Sequence, residues 1–203
     1  MKALLIAGLC LVLFLSFASS ALQAATALTP QVVADRVLQA LVGSGTSASG
    51  AALAKYTFPR PGNYANYPKV LFTWRKMADE SYSSGSLKVY RRFIQTETQS
   101  KAGTKLSDQK VMVLYIDGRV GHWRVFTFTR REDWDYVLGL IKGTETHYET
   151  PNDFTRGEWF LWVGRPAEAL PFFMRALKDT SLIARDQAIL RTYLVAVYGK
   201  DTR

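Results

Sequence analysis

The run VMVLYIDGRVGHWRVFTFT, residues 111–129, decides the fold. Two β-rich segments flank Asp117-Gly118, a dipeptide typical of a two-residue type I′ turn between antiparallel strands. A turn of this length predicts a register in which Tyr115 pairs with Val120. The run is therefore predicted to form a β-hairpin.

In this register each face of the hairpin carries large apolar side chains. One face holds Val111, Val113, Tyr115, Val120, His122, Arg124, Phe126 and Phe128, and the other holds Met112, Leu114, Ile116, Trp123 and Val125. We expect such strands to lie centrally in a sheet, with helices packed on at least one side. His122, set among apolar neighbours, is expected to be a buried structural histidine rather than a general base.

The segments on either side of the hairpin predict further elements. Alternation from Leu87 to Ile94 predicts a strand, and a polar loop is expected from about Gln99 to Asp108. Upstream, apolar residues recur at helical spacing from Val70 to Tyr82 and predict an amphipathic helix. Downstream, TRRE at 129–132 has the sequence of a capping box and predicts a helix that ends at Gly143.

The first 27 residues have the pattern of a secretory signal peptide. Lys2 precedes an apolar run from Ala3 to Phe17, and small residues then allow cleavage after Ala21 or after Ala27. A retained anchor helix is the alternative, although the run is shorter than the ~20 residues of a membrane span. The one cysteine, Cys10, lies in this run, so the mature chain would have neither disulfides nor a thiol nucleophile. We expect a periplasmic or secreted bacterial protein.

The region that follows the signal sequence is predicted to begin with a helix. Thr29-Pro30 is a helix-start pattern, and an apolar stripe predicts a helix over 30–42. The glycine-rich run 43–50 is interpreted as a linker, because it lacks the lysine of a phosphate-binding loop. A short helical start at 51–56 is followed by a segment whose prolines and glycine forbid a regular element. The aromatic residues in and beside this segment are Tyr56, Phe58, Tyr64 and Tyr67. They are expected to cover an edge of the core, and a surface that binds sugars or the cell wall is the alternative.

Charge is distributed unevenly along the chain. Residues 51–131 contain 15 lysines and arginines against 5 acidic residues, whereas residues 132–203 contain 9 against 11. A basic middle predicts either an anionic partner or a solvated face that aids solubility. The residues assigned to a basic binding face are Arg91, Arg92, Arg124, Arg130 and Arg131. Because export is expected, an anionic envelope component is favoured over nucleic acid as such a partner.

Catalytic motifs are absent from the sequence. It contains no HExxH, GxSxG or CxxC pattern and only two histidines. Glu145, His147 and Glu149 place three metal-capable groups on one extended segment, but no fourth ligand is evident and solvated loop polarity is the preferred interpretation. No catalytic residue, metal ligand or cofactor is therefore assigned. A hydrolase that uses two carboxylates stays an alternative, because their separation cannot be read from sequence.

The segment GEWFLWVGRPAEALPFFMRALKD, residues 157–179, carries one family resemblance. A tetratricopeptide repeat has a glycine, an aromatic residue, a glycine, an alanine, an aromatic residue and an alanine at characteristic spacings. The residues at those spacings in this segment are Gly157, Phe160, Gly164, Ala169, Phe173 and Ala176. Residues of about 150–183 thus resemble a single such repeat, which implies two closely packed antiparallel helices. The chain departs from the family at Asp153 and Arg156, where a tryptophan and a leucine are usual. The helical pattern from Leu182 to Tyr198 begins a second unit without completing it, so the hairpin must pack on other parts of this chain or on another chain.

These patterns together predict an α+β fold. N-terminal helices and a small antiparallel sheet are expected over 28–143, followed by an all-helical hairpin region over 144–203; an NTF2-like α+β cone is the alternative. The predicted function is that of an exported, non-catalytic accessory protein. Its basic α+β domain would meet an anionic partner, and its C-terminal hairpin would dock on a protein partner. The alternative is a small-ligand-binding or hydrolytic protein with a pocket in the α+β domain.

Overall fold

A computed structural model describes residues 28–42, 53–58, 72–99 and 103–200. The predicted signal peptide, the 43–50 linker, and Tyr64 and Tyr67 lie outside these residues. The described elements are α1 (Pro30–Val42), β1 (Phe72–Ser84), β2 (Leu87–Gln99), β3 (Lys105–Asp117), β4 (His122–Arg130), α2 (Arg131–Lys142), α3 (Asp153–Trp162), α4 (Pro166–Ala176) and α5 (Ala184–Tyr198). A short helical turn, 53–56, lies between α1 and β1.

The four strands form one antiparallel sheet in the order β1-β2-β3-β4. Each strand therefore pairs with its neighbour in sequence, as in a meander. Together with the helices, this sheet confirms the predicted α+β class. Among the described residues, no helix is long and apolar enough to cross a membrane.

Helices cover both faces of the sheet, because the side chains of β2 and β3 alternate between two apolar clusters. The cluster beneath α1 contains Val33, Ala34, Val37, Leu38, Tyr56, Tyr90, Ile94, Met112, Leu114 and Val125. The cluster shared with α2 to α5 includes Val89, Phe93, Val111, Val113, Tyr115 and Phe126 from the sheet and Phe58 from the segment before it. The expected central position is confirmed for β3. β4 instead lies at an end of the sheet, where Thr57 forms a parallel bridge to Val125.

The predicted hairpin is present, but its turn is longer than two residues. Asp117 pairs with His122, so residues 118–121 form the turn and the Tyr115–Val120 register is wrong. The reason is the Asp117 carboxylate, which is fully buried and accepts hydrogen bonds from the Arg119 amide at 3.0 Å and from its Nη2 at 2.6 Å. These bonds hold the chain in a wider loop. His122 consequently begins β4 as an exposed residue, so its predicted burial is wrong.

The predicted division of the two hairpin faces largely survives this change of register. The observed pairing is offset by four residues, and an even offset leaves each side chain on its predicted face. A β-bulge opposite Val113 and Leu114 then leaves Phe126 unpaired in β4. Phe128 is thereby moved to the α1 side of the sheet, so its predicted face is wrong.

The helix predicted from Val70 to Tyr82 is wrong, because β1 occupies most of that range. Its apolar residues mimic a helical spacing for a structural reason. Lys76 pairs with Ile94 and Ala78 with Phe93, so Met77 is an extra residue in a β-bulge. The bulge interrupts the two-residue alternation by which a strand is recognised.

Two smaller boundaries also differ from expectation. β3 begins at Lys105, within the polar loop expected from Gln99 to Asp108, because β2 and β3 extend as a solvent-exposed ladder. The helix before Gly143 is confirmed as α2, but Arg130 rather than Thr129 precedes it as the N-cap, without a side-chain cap. Thr129 Oγ1 instead donates to Asp133 Oδ2 at 3.2 Å. The capping-box prediction is therefore wrong.

The C-terminal helices pack closely on one another and on the sheet. Gly157 of α3 faces the ring of Phe173 in α4, where an added Cβ would lie 2.3 Å from Cε1. Tyr115 Oη donates to the carbonyl of Leu161 at 2.6 Å, which ties the end of α3 to β3. At the far end, the Gly118 amide donates to the carbonyl of Ala196 at 2.6 Å and joins the hairpin turn to α5. The helical region thus shares its core with the sheet.

Candidate functional site

The five arginines predicted to form a basic binding face are distributed over separate parts of the molecule. Arg92 lies under α1 with its side chain 3% exposed, whereas Arg91 points to the opposite side of the sheet and donates to the Val163 carbonyl. Arg124 lies beside the hairpin turn. Arg130 and Arg131 are neighbours at the junction of β4 and α2. The structure therefore brings only the last two together, and a shared binding role stays a prediction.

Each of these five side chains has an acidic partner within the chain. The pairs are Arg91 with Glu80, Arg92 with Asp79 and Asp35, Arg124 with Asp117, Arg130 with Asp133, and Arg131 with Asp135. Arg131 also lies over the ring of Trp134 at 4.8 Å. A guanidinium that is already paired offers less to an anionic partner, because its intramolecular pair must first be broken.

The arginine under α1 belongs to a polar network within an otherwise apolar layer. Arg92 Nε donates to Asp79 Oδ1 at 2.9 Å, and its Nη1 donates to Asp35. Burial alone would raise the pKa of Asp79, but hydrogen bonds from Arg92 and Tyr90 outweigh it and hold that pKa below its ordinary value. Burial and the nearby carboxylate raise the pKa of Tyr90. This network joins α1 to the sheet and has a structural role.

A cleft of about 470 Å³ lies beside the helical hairpin. Its walls come from the end of α2, the connecting loop 145–151, α3 and one residue of α4. The lining residues are Leu140, Ile141, Glu145, His147, Tyr148, Glu149, Thr150, Pro151, Arg156, Trp159, Phe160 and Phe172. Its volume lies within the range of small-molecule sites, about 300–1,000 Å³.

The loop that closes the cleft is fixed at both ends by hydrogen bonds. At the end of α2, the amides of Thr144 and Glu145 both donate to the Gly139 carbonyl, at 2.9 and 3.2 Å. Tyr136 Oη donates to the carbonyl of Thr146 at 3.0 Å. At the start of α3, Asn152 caps the helix through its side-chain oxygen. The loop therefore holds its polar side chains over a defined helical surface.

Aromatic rings form the helical wall of the cleft. His147 packs on Trp159 with ring centroids 5.3 Å apart, and Phe160 stacks on Phe172 at 5.4 Å. Tyr148, at the rim, is fully exposed. Rings in this position provide apolar contact area at small cost in conformational entropy.

Three charged side chains of the cleft form no hydrogen bond or salt bridge within the described part of the chain. They are the carboxylates of Glu145 and Glu149 and the guanidinium of Arg156. The charge of Arg156 acts only at longer range, where after Arg175 it helps to lower the pKa of Asp153. These three side chains thus differ from the five predicted arginines, all of which are paired. The three metal-capable residues Glu145, His147 and Glu149 do not converge: in the described ranges no group of three or more such side chains could hold a metal.

The predicted hairpin-packing residues lie where close helix contact requires small or buried side chains. Ala169, Phe173 and Ala176 are buried in the common core, and Phe160 contributes to the cleft wall. Gly164, with φ of 80°, forms the turn and approaches Arg91 and Val89 of β2. Across the hairpin Arg175 pairs with Asp153 at 2.9 Å. The segment is thus a helical hairpin in geometry; the resemblance to a tetratricopeptide repeat stays a prediction.

Comparison with known proteins adds no assignment, because no protein family, curated protein or solved structure matches the chain. The assignment of a functional site is therefore based on the geometry of the cleft alone. The sequence singled out Glu145, His147 and Glu149 for their chemistry and Phe160 for its spacing, but did not place them together. Phe172 was not singled out, and no local pattern could have linked it to a loop more than 20 residues earlier.

Proposed function

We propose that this protein is an exported, non-catalytic binding protein whose recognition element is the helical hairpin α3–α4 with its cleft. The observation that carries the proposal is the contrast in charge pairing. The five arginines assigned to a basic face are paired within the chain, whereas Arg156, Glu145 and Glu149 of the cleft form no salt bridge in its described part. Unpaired charge beside aromatic rings favours recognition of another molecule.

Export is supported by the N-terminal sequence pattern, and the non-catalytic character by the absence of a recognised catalytic motif. A protein partner suits the exposed rim, where Tyr148 is accessible to a surface that covers the cleft. Docking through the hairpin would place Trp159 and Phe160 at the centre of contact. Tryptophan is among the residues that are typical of binding hot spots.

A second candidate is the binding of a small ligand in the same cleft. The cleft's volume favours it, since about 470 Å³ accommodates a small molecule or a single side chain rather than a flat protein surface. Both candidates use the same residues. They differ in the size of the bound species.

Charge reversal at the cleft tests the protein-docking form of the proposal. Arg156→Glu should reduce recovery of the bound partner from envelope extracts at least about tenfold, because it replaces an attraction by a repulsion. Arg191→Glu is a matched control, since Arg191 is an exposed arginine of α5 outside the cleft. Equal recovery by the two variants, with both folded by circular dichroism, would contradict the proposal.

A further inference from the structure

The cleft combines aromatic rings with charges of both signs. Within the described residues, three of its charged groups form no hydrogen bond or salt bridge: the carboxylates of Glu145 and Glu149 and the guanidinium of Arg156, which interacts with Asp153 only at longer range. These three groups together carry a charge of −1, although the whole chain carries +9. A ligand selected by this lining must satisfy both signs, because covering an unpaired charge without a counter-charge is unfavourable.

The aromatic wall of the hairpin already attracts cations from the chain itself. The guanidinium of Arg165 lies 5.3 Å from the centroid of Phe160, and that of Arg175 lies 4.6 Å from the centroid of Phe172. Indole is a stronger cation acceptor than either phenyl ring. Among the described residues, no lysine or arginine lies over Trp159. His147 already packs on part of the Trp159 ring, so a cationic ligand would contact the indole surface that stays open to the cleft, with carboxylates in the same cleft.

Neither a simple cation nor a simple anion can pair with every charged group of this cleft. A cation satisfies Trp159 and the carboxylates but covers Arg156 without a counter-charge. An anion pairs with Arg156 but is repelled by Glu145 and Glu149. A single molecule that carries both groups satisfies all of them, and aromatic surfaces are known to recognise quaternary ammonium groups.

We propose that the cleft binds an organic zwitterion, in which an ammonium group is joined through a short linker to a carboxylate or a phosphate. The ammonium contacts Trp159 and pairs with Glu145 or Glu149. The anionic end accepts hydrogen bonds from the guanidinium of Arg156. The proposal rests on the proposed function of the cleft, in its small-ligand form.

Nuclear magnetic resonance of the tryptophan indoles provides the test. The chain has five tryptophans, and Trp159→Phe identifies the Trp159 signal by its loss. The purified protein is titrated with glycine betaine, phosphocholine, choline and acetate. We expect the Trp159 signal to shift with a zwitterion that binds at least about tenfold more tightly than choline, since one charge-assisted hydrogen bond supplies that factor. The betaine and phosphocholine titrations show whether the preferred anion is carboxylate or phosphate.

Matched variants assign the two ends of the ligand. Arg156→Gln should abolish the preference for the zwitterion over choline, whereas Arg191→Gln should keep it. The double variant Glu145→Gln/Glu149→Gln should lose choline binding, whereas Glu97→Gln, on the exposed end of β2, should not. Equal affinity for zwitterion and choline in the wild type would overturn the proposal, as would tighter binding of acetate.

If none of the four compounds shifts the Trp159 indole signal, the proposed class of ligand is also wrong. If Arg156→Glu then still reduced partner recovery, the cleft would be a protein-docking site and the proposed function would stand. If the zwitterion bound and partner recovery were unaffected, the ligand class would hold and protein docking would fail. The two proposals can therefore fail separately.

Discussion

Gly157→Ala tests whether the helical hairpin is closed by the contact between α3 and α4. An added Cβ at this position would lie 2.3 Å from Cε1, 2.5 Å from Cδ1 and 2.9 Å from Cζ of Phe173. The Phe173 ring is fully buried and touches Phe154, Tyr193 and Tyr198, so it is held on several sides. The methyl group can enter only if one helix moves.

Two opposing effects decide the sign of the change in stability. Alanine is favoured over glycine in a helix by about 1 kcal/mol, which would stabilise α3. Overpacking a close-packed core costs about 1–3 kcal/mol, and a ring held by three neighbours places the cost in the upper part of that range. We expect a net loss of about 1–2 kcal/mol in the free energy of unfolding. For a chain of this size that corresponds to a fall in Tm of about 2–4 °C per kcal/mol.

Chemical denaturation of the single and double variants measures this effect. In a Phe173→Leu background the added methyl group meets a smaller side chain, so Gly157→Ala should cost about 1 kcal/mol less than in the wild type. Gly139→Ala is a useful comparison, because its new Cβ meets mainly the flexible side chain of Glu145. Equal or greater stability of Gly157→Ala, or additive effects in the cycle with Phe173→Leu, would refute the reasoning.

Three further predictions concern the buried ion pairs. Asp117→Asn should lower the free energy of unfolding by about 2–3 kcal/mol, measured in urea, because it removes the negative charge that pairs with Arg119 and Arg124 and one of the two acceptor oxygens; a change below about 0.5 kcal/mol would show that the turn does not depend on this charge. Arg92→Met should cost about 3 kcal/mol in the same assay, since the carboxylate of Asp79 loses its main partner; unchanged stability would contradict a structural role. The pKa values of Asp79 and Asp117 are lowered by folding, so their ion pairs stabilise the protein above pH ~4 and this stabilisation is lost as the pH falls further. The free energy of unfolding, measured as a function of pH, should therefore decrease below that pH. In Asp117→Asn this decrease should be smaller.

The sequence predicted the hairpin and most of its faces because strand alternation survives an even change of register. Tyr115 kept its face although its partner changed from Val120 to Arg124. Turn length could not be predicted, because it depends on the buried Asp117 carboxylate and its bonds with Arg119. A dipeptide preference carries no information on such a side-chain contact.

β1 was not recognisable from sequence because its bulge at Met77 reproduces the spacing of a helix. The cleft was equally hidden, since Glu145, Trp159 and Phe172 come from three elements and meet only after the hairpin closes. The spacing of small and aromatic residues from Gly157 to Ala176 did predict that closure. Local spacing therefore predicted the scaffold, whereas the site depends on contacts between distant residues.

Photo-cross-linking from the rim of the cleft tests the central claim most directly. A benzophenone amino acid replaces Tyr148, which is fully exposed beside the cleft, and in a matched protein replaces Tyr82, which is 47% exposed on β1. After irradiation of the cells that make the protein, we expect a discrete adduct from position 148 and none from position 82. The mass of the adduct distinguishes a protein partner from a small ligand. An adduct from position 82 alone, or none from position 148, would contradict the assignment of the cleft as the recognition site.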